Sequence, residues 1–174
     1  MIPEEIPSVA AYSILELVKP GEIVCEIGVR SGQSSYAFLH RGCFLYMIDP
    51  WEEYEEYIES SAYRFEDDYS HVLEMVKEFP NQYQIIREKS ETAHRYLPNN
   101  LGLIYIDGNH AYEYVLQDIL NYWPKLRKGG WLTGDDYSMT EICKAVNEAY
   151  FEWFKLDNNL KLQILGRNWA IQKL

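Results

Sequence analysis

Residues 22–35, EIVCEIGVRSGQSS, hold the reading on which the fold turns. Glu22 to Ile27 is a short apolar run with β-branched residues, the composition of a first strand buried on both faces. Gly28 to Gly32 is a glycine-bearing turn, and Ser34 to His40 then reads as a helix with Ser34 or Ser35 near its N-cap. The turn is not the dinucleotide fingerprint G-x-G-x-x-G, because Arg30 stands where the second glycine belongs. Its physical use is still evident. Gly28 and Gly32 let the backbone approach a ligand closely, and the free N–H groups of the following helix suit an anionic group such as a carboxylate. Glu26, at the carboxyl end of the strand, is placed to bind an ammonium group, directly or through water.

Outward from this unit the chain alternates helix-like and strand-like segments, the pattern of an α/β layer fold with a mostly parallel sheet. Ser8 to Val18 has helical spacing and stops at Lys19-Pro20-Gly21. Further strands are expected at Phe44 to Ile48, Tyr83 to Arg87, Leu101 to Ile106 and Trp131 to Thr133. Between them, Trp51 to Phe79 is acidic, rich in tyrosine and mostly helical, and its first half has the mixed periodicity of a mobile cover. Ser90 to Tyr96 reads as a short helix, and Tyr112 to Leu126 as an amphipathic one stopped by Gly129-Gly130. Glu141 to Phe154 is a last helix, and Leu160 to Leu165 with Trp169 to Lys173 form a closing hairpin around Gly166-Arg167-Asn168. The expectation is one domain over residues 1–174, with no repeat and no linker.

Acids stand at the ends of these strands, where ligands of such sheets bind. Asp49 follows the second strand and suits ribose hydroxyls. Asp107 ends the fourth strand, and Asp135 and Asp136 end the fifth. Packed closely, three carboxylates raise one another's pKa unless a cation sits among them, and oxygen ligands favour Mg²⁺, Ca²⁺ or Mn²⁺. Helix capping accounts for one of the paired aspartates equally well. His110, in the loop after Asp107, has the chemistry to take a proton from a hydroxyl, although loop histidines often serve only as structural hydrogen-bonders.

The 174 residues carry 16 Lys and Arg against 27 Asp and Glu, a net charge of −11 that argues against nucleic-acid and anionic-membrane partners. The densest basic stretch, Lys125-Leu126-Arg127-Lys128, reads as the end of a helix. No apolar run is long enough to span a bilayer, and the acidic, proline-bearing start is not a signal peptide. The three cysteines, Cys25, Cys43 and Cys143, are too few and too dispersed for a disulfide framework or zinc site, which suggests a reducing, cytoplasmic setting.

VCEIGVRSGQSS (24–35) resembles the first motif of class I S-adenosylmethionine-dependent methyltransferases, and YMIDPW (46–51) their second. LIYIDGNHAYEYVLQDILNYWPKLRKGGWLTGDDY (103–137) is similar to a small-molecule O-methyltransferase branch. That branch holds the macrocin and aminocoumarin sugar methyltransferases and the cephalosporin-hydroxylase group. The resemblance implies a Rossmann-like, doubly wound, seven-stranded sheet, mostly parallel with an antiparallel last strand. It implies S-adenosylmethionine contacts at Glu26, Asp49 and Asp107, and along the turn at Gly28, Val29, Arg30, Ser31, Gly32 and Ser34, with adenine near Ser90 and Glu91. It places a divalent cation, Mg²⁺ foremost, at Asp107, Asp135 and Asp136; His110 and Asp107 are the catalytic candidates that the loop after the fourth strand offers.

The implied reaction is methyl transfer to a hydroxyl of a small molecule, a sugar diol or catechol-like acceptor. Several sugar methyltransferases of the branch carry an aspartate where this chain has Asn109, and an amide accepts no proton, so that role passes to His110 or to a metal-bound hydroxide, or the chain uses another mechanism. The chain carries no long N-terminal extension to serve as a lid or dimer arm, yet small members of such folds often pair, so a homodimer is among the expected assemblies. Metal-independent transfer to nitrogen or carboxylate, and a cofactor-binding module without turnover, are the alternatives. A nicotinamide-dependent reductase fails at Arg30 and lacks a Tyr-x-x-x-Lys pair.

Overall fold

Five parallel strands, the central two buried on both faces, run side by side and draw the chain into one layer. The computed structural model describes residues 10–52, 64–154 and 160–174. The strands are β1 (Ile23–Ile27), β2 (Phe44–Ile48), β3 (Tyr83–Ile86), β4 (Leu101–Ile106), β5 (Leu126–Gly134), β6 (Leu162–Leu165) and β7 (Asn168–Gln172), in the sheet order β3-β2-β1-β4-β5-β7-β6. Pairing is parallel from β3 through β5, and β7 runs antiparallel to both β5 and β6. This is the expected Rossmann-like sheet with its last strand reversed. The chain order turns back between β1 and β4, which places a crevice at their carboxyl ends.

Alternation along each strand divides the core between two faces. Val24, Leu103 and Tyr105 face Ile14, Phe38 and Val72, carried by a 3₁₀ segment (Ala10–Leu17), α1 (Gln33–His40) and α2 (Phe65–Met75). Cys25, Ile104 and Ile106 face Val115, Ile119 and Ile142, carried by α4 (Tyr112–Tyr122) and α5 (Thr140–Glu148). The short α3 (Ser90–Ala93) adds Ala93 to this second face. Glu26 falls on the α1 face of β1, and this decides its partner below.

Three local expectations need correcting. Neither Ser34 nor Ser35 caps α1: Gly32 occupies that position at φ 83°, and the Ser35 hydroxyl donates instead to Glu26 Oε2. The amphipathic helix ends at Tyr122, because a 3₁₀ turn Trp123–Lys125 with Pro124 replaces its last turn. Leu126, Arg127 and Lys128 therefore open β5 rather than close a helix, and β5 is nine residues long. The helix expected to reach Phe154 ends at Glu148 and continues as a π-helical turn, Ala149–Trp153.

The tightest joint lies where β1 meets β4. A Cβ on Gly28 would stand 2.1 Å from the Asp107 carbonyl oxygen, at φ +86°. Gly21 has a similar φ of +84° with nothing within 4 Å. Gly21→Ala should thus cost about 1–2 kcal/mol, the left-handed backbone penalty alone. Gly28→Ala should lose several kcal/mol more in urea unfolding, since backbone must move; equal losses would contradict this packing.

Candidate functional site

The carboxyl ends of β1, β2, β4 and β5 surround a cleft of about 580 Å³. Ladder-like bonds carry its floor past the strands: Gly28 N–H donates to Ile48 O at 2.9 Å, Asp107 N–H to Ile27 O at 2.8 Å and Asp135 N–H to Ile106 O at 3.1 Å. The expected site residues Glu26, Gly28, Val29, Arg30, Ser31 and Ser34 all line it. So do Asp49, Ser90, Glu91, Asp107, His110, Asp135 and Asp136. Gly32 does not; it turns the chain into α1 with Met75 and Val72 packed behind it. Phe65 and Asp68 of α2 reach the cleft, whereas residues 53–63, the bulk of the expected cover, lie outside the described residues.

At the β1–β2 end the geometry is set by backbone donors. Arg30 N–H donates to Asp49 Oδ2 at 2.9 Å, and Trp51 N–H to Asp49 Oδ1 at 2.8 Å. Trp51 Nε1–H reaches back to the Arg30 carbonyl at 2.8 Å, so the two loops clamp each other. Burial raises the Asp49 pKa from its ordinary value, and these N–H bonds oppose that rise. Glu26 is buried, and desolvation pushes its pKa well up; the Ser35 hydroxyl lowers it, and Asp107 and Asp49 raise it further. A ligand cation there would restore its charge.

At the β4–β5 end, His110 Nε2 stands 3.7 Å from Asp107 Oδ1 and 3.8 Å from Asp136 Oδ2. Burial raises Asp107 to about 6, against the pull of His110. Asp107, His110 and Asp136 offer ligand atoms all within 4.8 Å of one another. Asp135 does not belong to that group. It is buried, and Arg167 Nε donates to its Oδ1 at 2.8 Å, while Arg167 Nη2 donates to Asp136 Oδ1. Asn109 accepts the Ala111 N–H on its Oδ1 at 2.9 Å, so its amide shapes the loop that presents His110.

Sequence reasoning passed over two residues of the cleft that the geometry brings forward. Trp51 carried a signal, standing next to Asp49-Pro50; Arg167 carried none beyond its place in a hairpin turn. Strain marks the same cleft. Among the described residues four non-glycines have positive φ, and three of them, Arg30, Trp51 and Asp136, line it. Such backbones are worth of order 1–3 kcal/mol each and persist only where the surroundings hold them. The clamp and the Arg167 pair are those holds.

A family model described as a methyltransferase domain matches residues 25–137. An uncharacterized protein of Acanthamoeba polyphaga mimivirus is 36% identical over 56 residues, 30% of this chain, and the match spans only 25% of the viral protein. An rRNA methylase from Streptococcus thermophilus superposes at TM-score 0.65 with 16% identity, covering 93% of this chain and 92% of that one. The TDP-rhamnose 3′-O-methyltransferase of calicheamicin biosynthesis superposes at TM-score 0.64 with 15% identity, covering 92% of this chain and 74% of that one. At such identities the structures share the fold.

Behind the cleft, buried Asp118 of α4 is raised by desolvation to about 7, with the Ser90 side chain hydrogen-bonded to it. An unfolded aspartate ionises near about 4. Between those values the folded state binds more protons than the unfolded one. The residue's contribution to stability is thus complete below the lower value and lost as pH rises through the upper. Asp118→Asn keeps an acceptor for Ser90 but cannot ionise. Its melting temperature should gain on the native chain by several degrees between about pH 5 and pH 8; a constant difference would show that Asp118 does not titrate there.

Proposed function

The chain belongs to the methyltransferase domain family, and we propose that it moves the methyl group of S-adenosylmethionine to a hydroxyl of a small molecule, a sugar diol or catechol-like acceptor. One observation carries this reading: a single cleft joins the Glu26–Asp49 end to the His110 end. Buried Glu26 suits the ammonium group of the cofactor. Asp49, oriented by its two N–H donors, keeps lone pairs for ribose hydroxyls. The turn from Gly28 to Ser34 follows the cofactor's amino-acid end, and Ser90 and Glu91 flank its adenine.

The cofactor, when bound, would supply an activated methyl group for in-line transfer to the acceptor oxygen, and His110 Nε2 would take the hydroxyl proton. Asp107 and Asp136 hold the imidazole and stabilise its cationic form. The electrophile is already activated, so positioning supplies most of the catalysis.

The divalent cation of the reading, Mg²⁺ foremost, fits this chain on altered terms. Asp107, His110 and Asp136 would hold it, because Asp135 is engaged by Arg167; with the ion bound His110 would be a ligand and not the base, so the two are alternative ways of handling the hydroxyl proton. When bound, the ion orients a vicinal diol and acidifies one hydroxyl. The imidazole in this donor set also suits Mn²⁺.

The net charge of −11, and acids such as Glu52, Asp68 and Glu91 along the cleft, support a small-molecule acceptor over RNA. No helix among the described residues is long and apolar enough to cross a membrane. A cytoplasmic site of action and a homodimeric assembly complete the reading.

Calorimetry with S-adenosylhomocysteine tests the cofactor end and should show saturable binding. Methyl transfer from labelled cofactor to a diol panel tests the acceptor end, and chelator should depress it until Mg²⁺ or Mn²⁺ is restored. His110→Ala should lower kcat by about 10²–10⁴-fold with cofactor affinity unchanged. Full turnover in that variant would remove His110 from the mechanism.

A further inference from the structure

The residue that no motif announces is the one that neutralises the acidic rim. Arg167 sits in the turn between β6 and β7, and its guanidinium spans two carboxylates, Nε to Asp135 at 2.8 Å and Nη2 to Asp136. The turn is held on several sides. Tyr137 N–H donates to the Arg167 carbonyl at 2.9 Å. Asn168 Nδ2 donates to Ser13 Oγ at 2.7 Å, and that hydroxyl donates to Leu165 O at 2.9 Å. Trp169 pairs with Gly134, immediately before the two aspartates. The side chain is thus delivered to the rim from a fixed strand pair rather than from a free loop.

We propose that Arg167 is a built-in cation of this rim, which withdraws Asp135 from metal binding, confines a divalent ion to Asp107, His110 and Asp136, and so sets how strongly the site depends on metal. The inference deepens the proposed function and rests on it for the place of the reaction. Its physical basis is charge. Three carboxylates drawn together require a positive partner. A guanidinium answers with a rigid fork that matches two carboxylate oxygens, is always charged, and cannot dissociate from the chain. Asp135 has 3% of its side chain exposed against 57% for Arg167, so the little of its carboxylate that reaches the cleft is already paired with a cation. Asp136 is shared: one oxygen faces Arg167 and the other faces His110. An ion arriving beside His110 meets the guanidinium across that shared carboxylate and is bound more weakly than by the free acids.

The test is Mn²⁺ binding to the full chain, followed by calorimetry in the absence of acceptor. Arg167→Met should bind Mn²⁺ at least about tenfold more tightly than the native chain, and Arg167→Lys, which keeps a charge, should stay close to native. Unchanged or weaker binding by an Arg167→Met protein with a native circular dichroism spectrum and cooperative melt overturns the proposal. Should that variant fail to fold, Asp135→Asn decides: Mn²⁺ affinity within about twofold of native supports a withdrawn Asp135, and a loss of tenfold or more makes Asp135 a ligand and sinks the idea. S-adenosylhomocysteine binding on the same samples separates the two levels. Its absence refutes the cofactor reading, whereas its presence with metal affinity insensitive to Arg167 refutes this inference alone.

Discussion

The backbone at Gly28 passes so close to the carbonyl of Asp107 that no side chain fits between them. That contact joins the end of β1 to the end of β4, and everything functional hangs from it. It brings the glycine turn, with Glu26 beneath it, to within one cleft of the acid and histidine that follow β4. Because the chain reverses its direction of travel across the sheet at this joint, the loops on either side diverge and leave a crevice. A bulkier residue would separate the strands or twist the turn away, and the two halves of the site would no longer face each other.

Around the joint, the fold maintains backbone conformations that isolated residues avoid. Arg30 and Trp51 are each held at positive φ, and each is tied by hydrogen bonds to the other's loop, with Asp49 accepting from both. The result is a rigid rim made from two loops that are mobile elements in many proteins. Asp136, the third strained residue of the cleft, is held in the same manner by a partner from β7's side of the sheet. Strain and its restraints thus coincide with the places where a ligand would touch, as expected of a preorganised site.

Acids in and behind the cleft are handled in three ways in this small protein. Asp49 is satisfied by backbone N–H groups, Asp135 by a guanidinium, and Asp118 by holding its proton toward neutrality. Glu26, like Asp118, has one hydroxyl donor and is pushed toward its protonated form by burial, but it lines the cleft, where a ligand's cation could reach it.

Much of the architecture was legible in the chain alone. Runs such as FLYMI and LGLIYI mark β2 and β4 to the residue, because a strand buried on both faces admits little but apolar side chains. The glycines, and the acids at the ends of β1, β2, β4 and β5, pointed to one rim of the sheet, where the cleft lies. What failed locally failed for tertiary reasons: Leu126 to Lys128 satisfy a helix end as readily as a strand, and the pairing of Leu126 with Leu101 of β4 decides between them. Ser35 is a sound cap by type, yet Glu26 on the facing strand takes its hydroxyl. Arg167 lies 31 residues beyond Asp136, and Trp51 21 beyond Arg30. Local pattern reaches only a turn or two along the chain, so strand content and the identity of the reactive residue types were written in the sequence. Which acid meets a cation, and which stays open to a ligand, depended on the reversed β7 that brings a distant hairpin against β5, a matter that only the packed sheet decides.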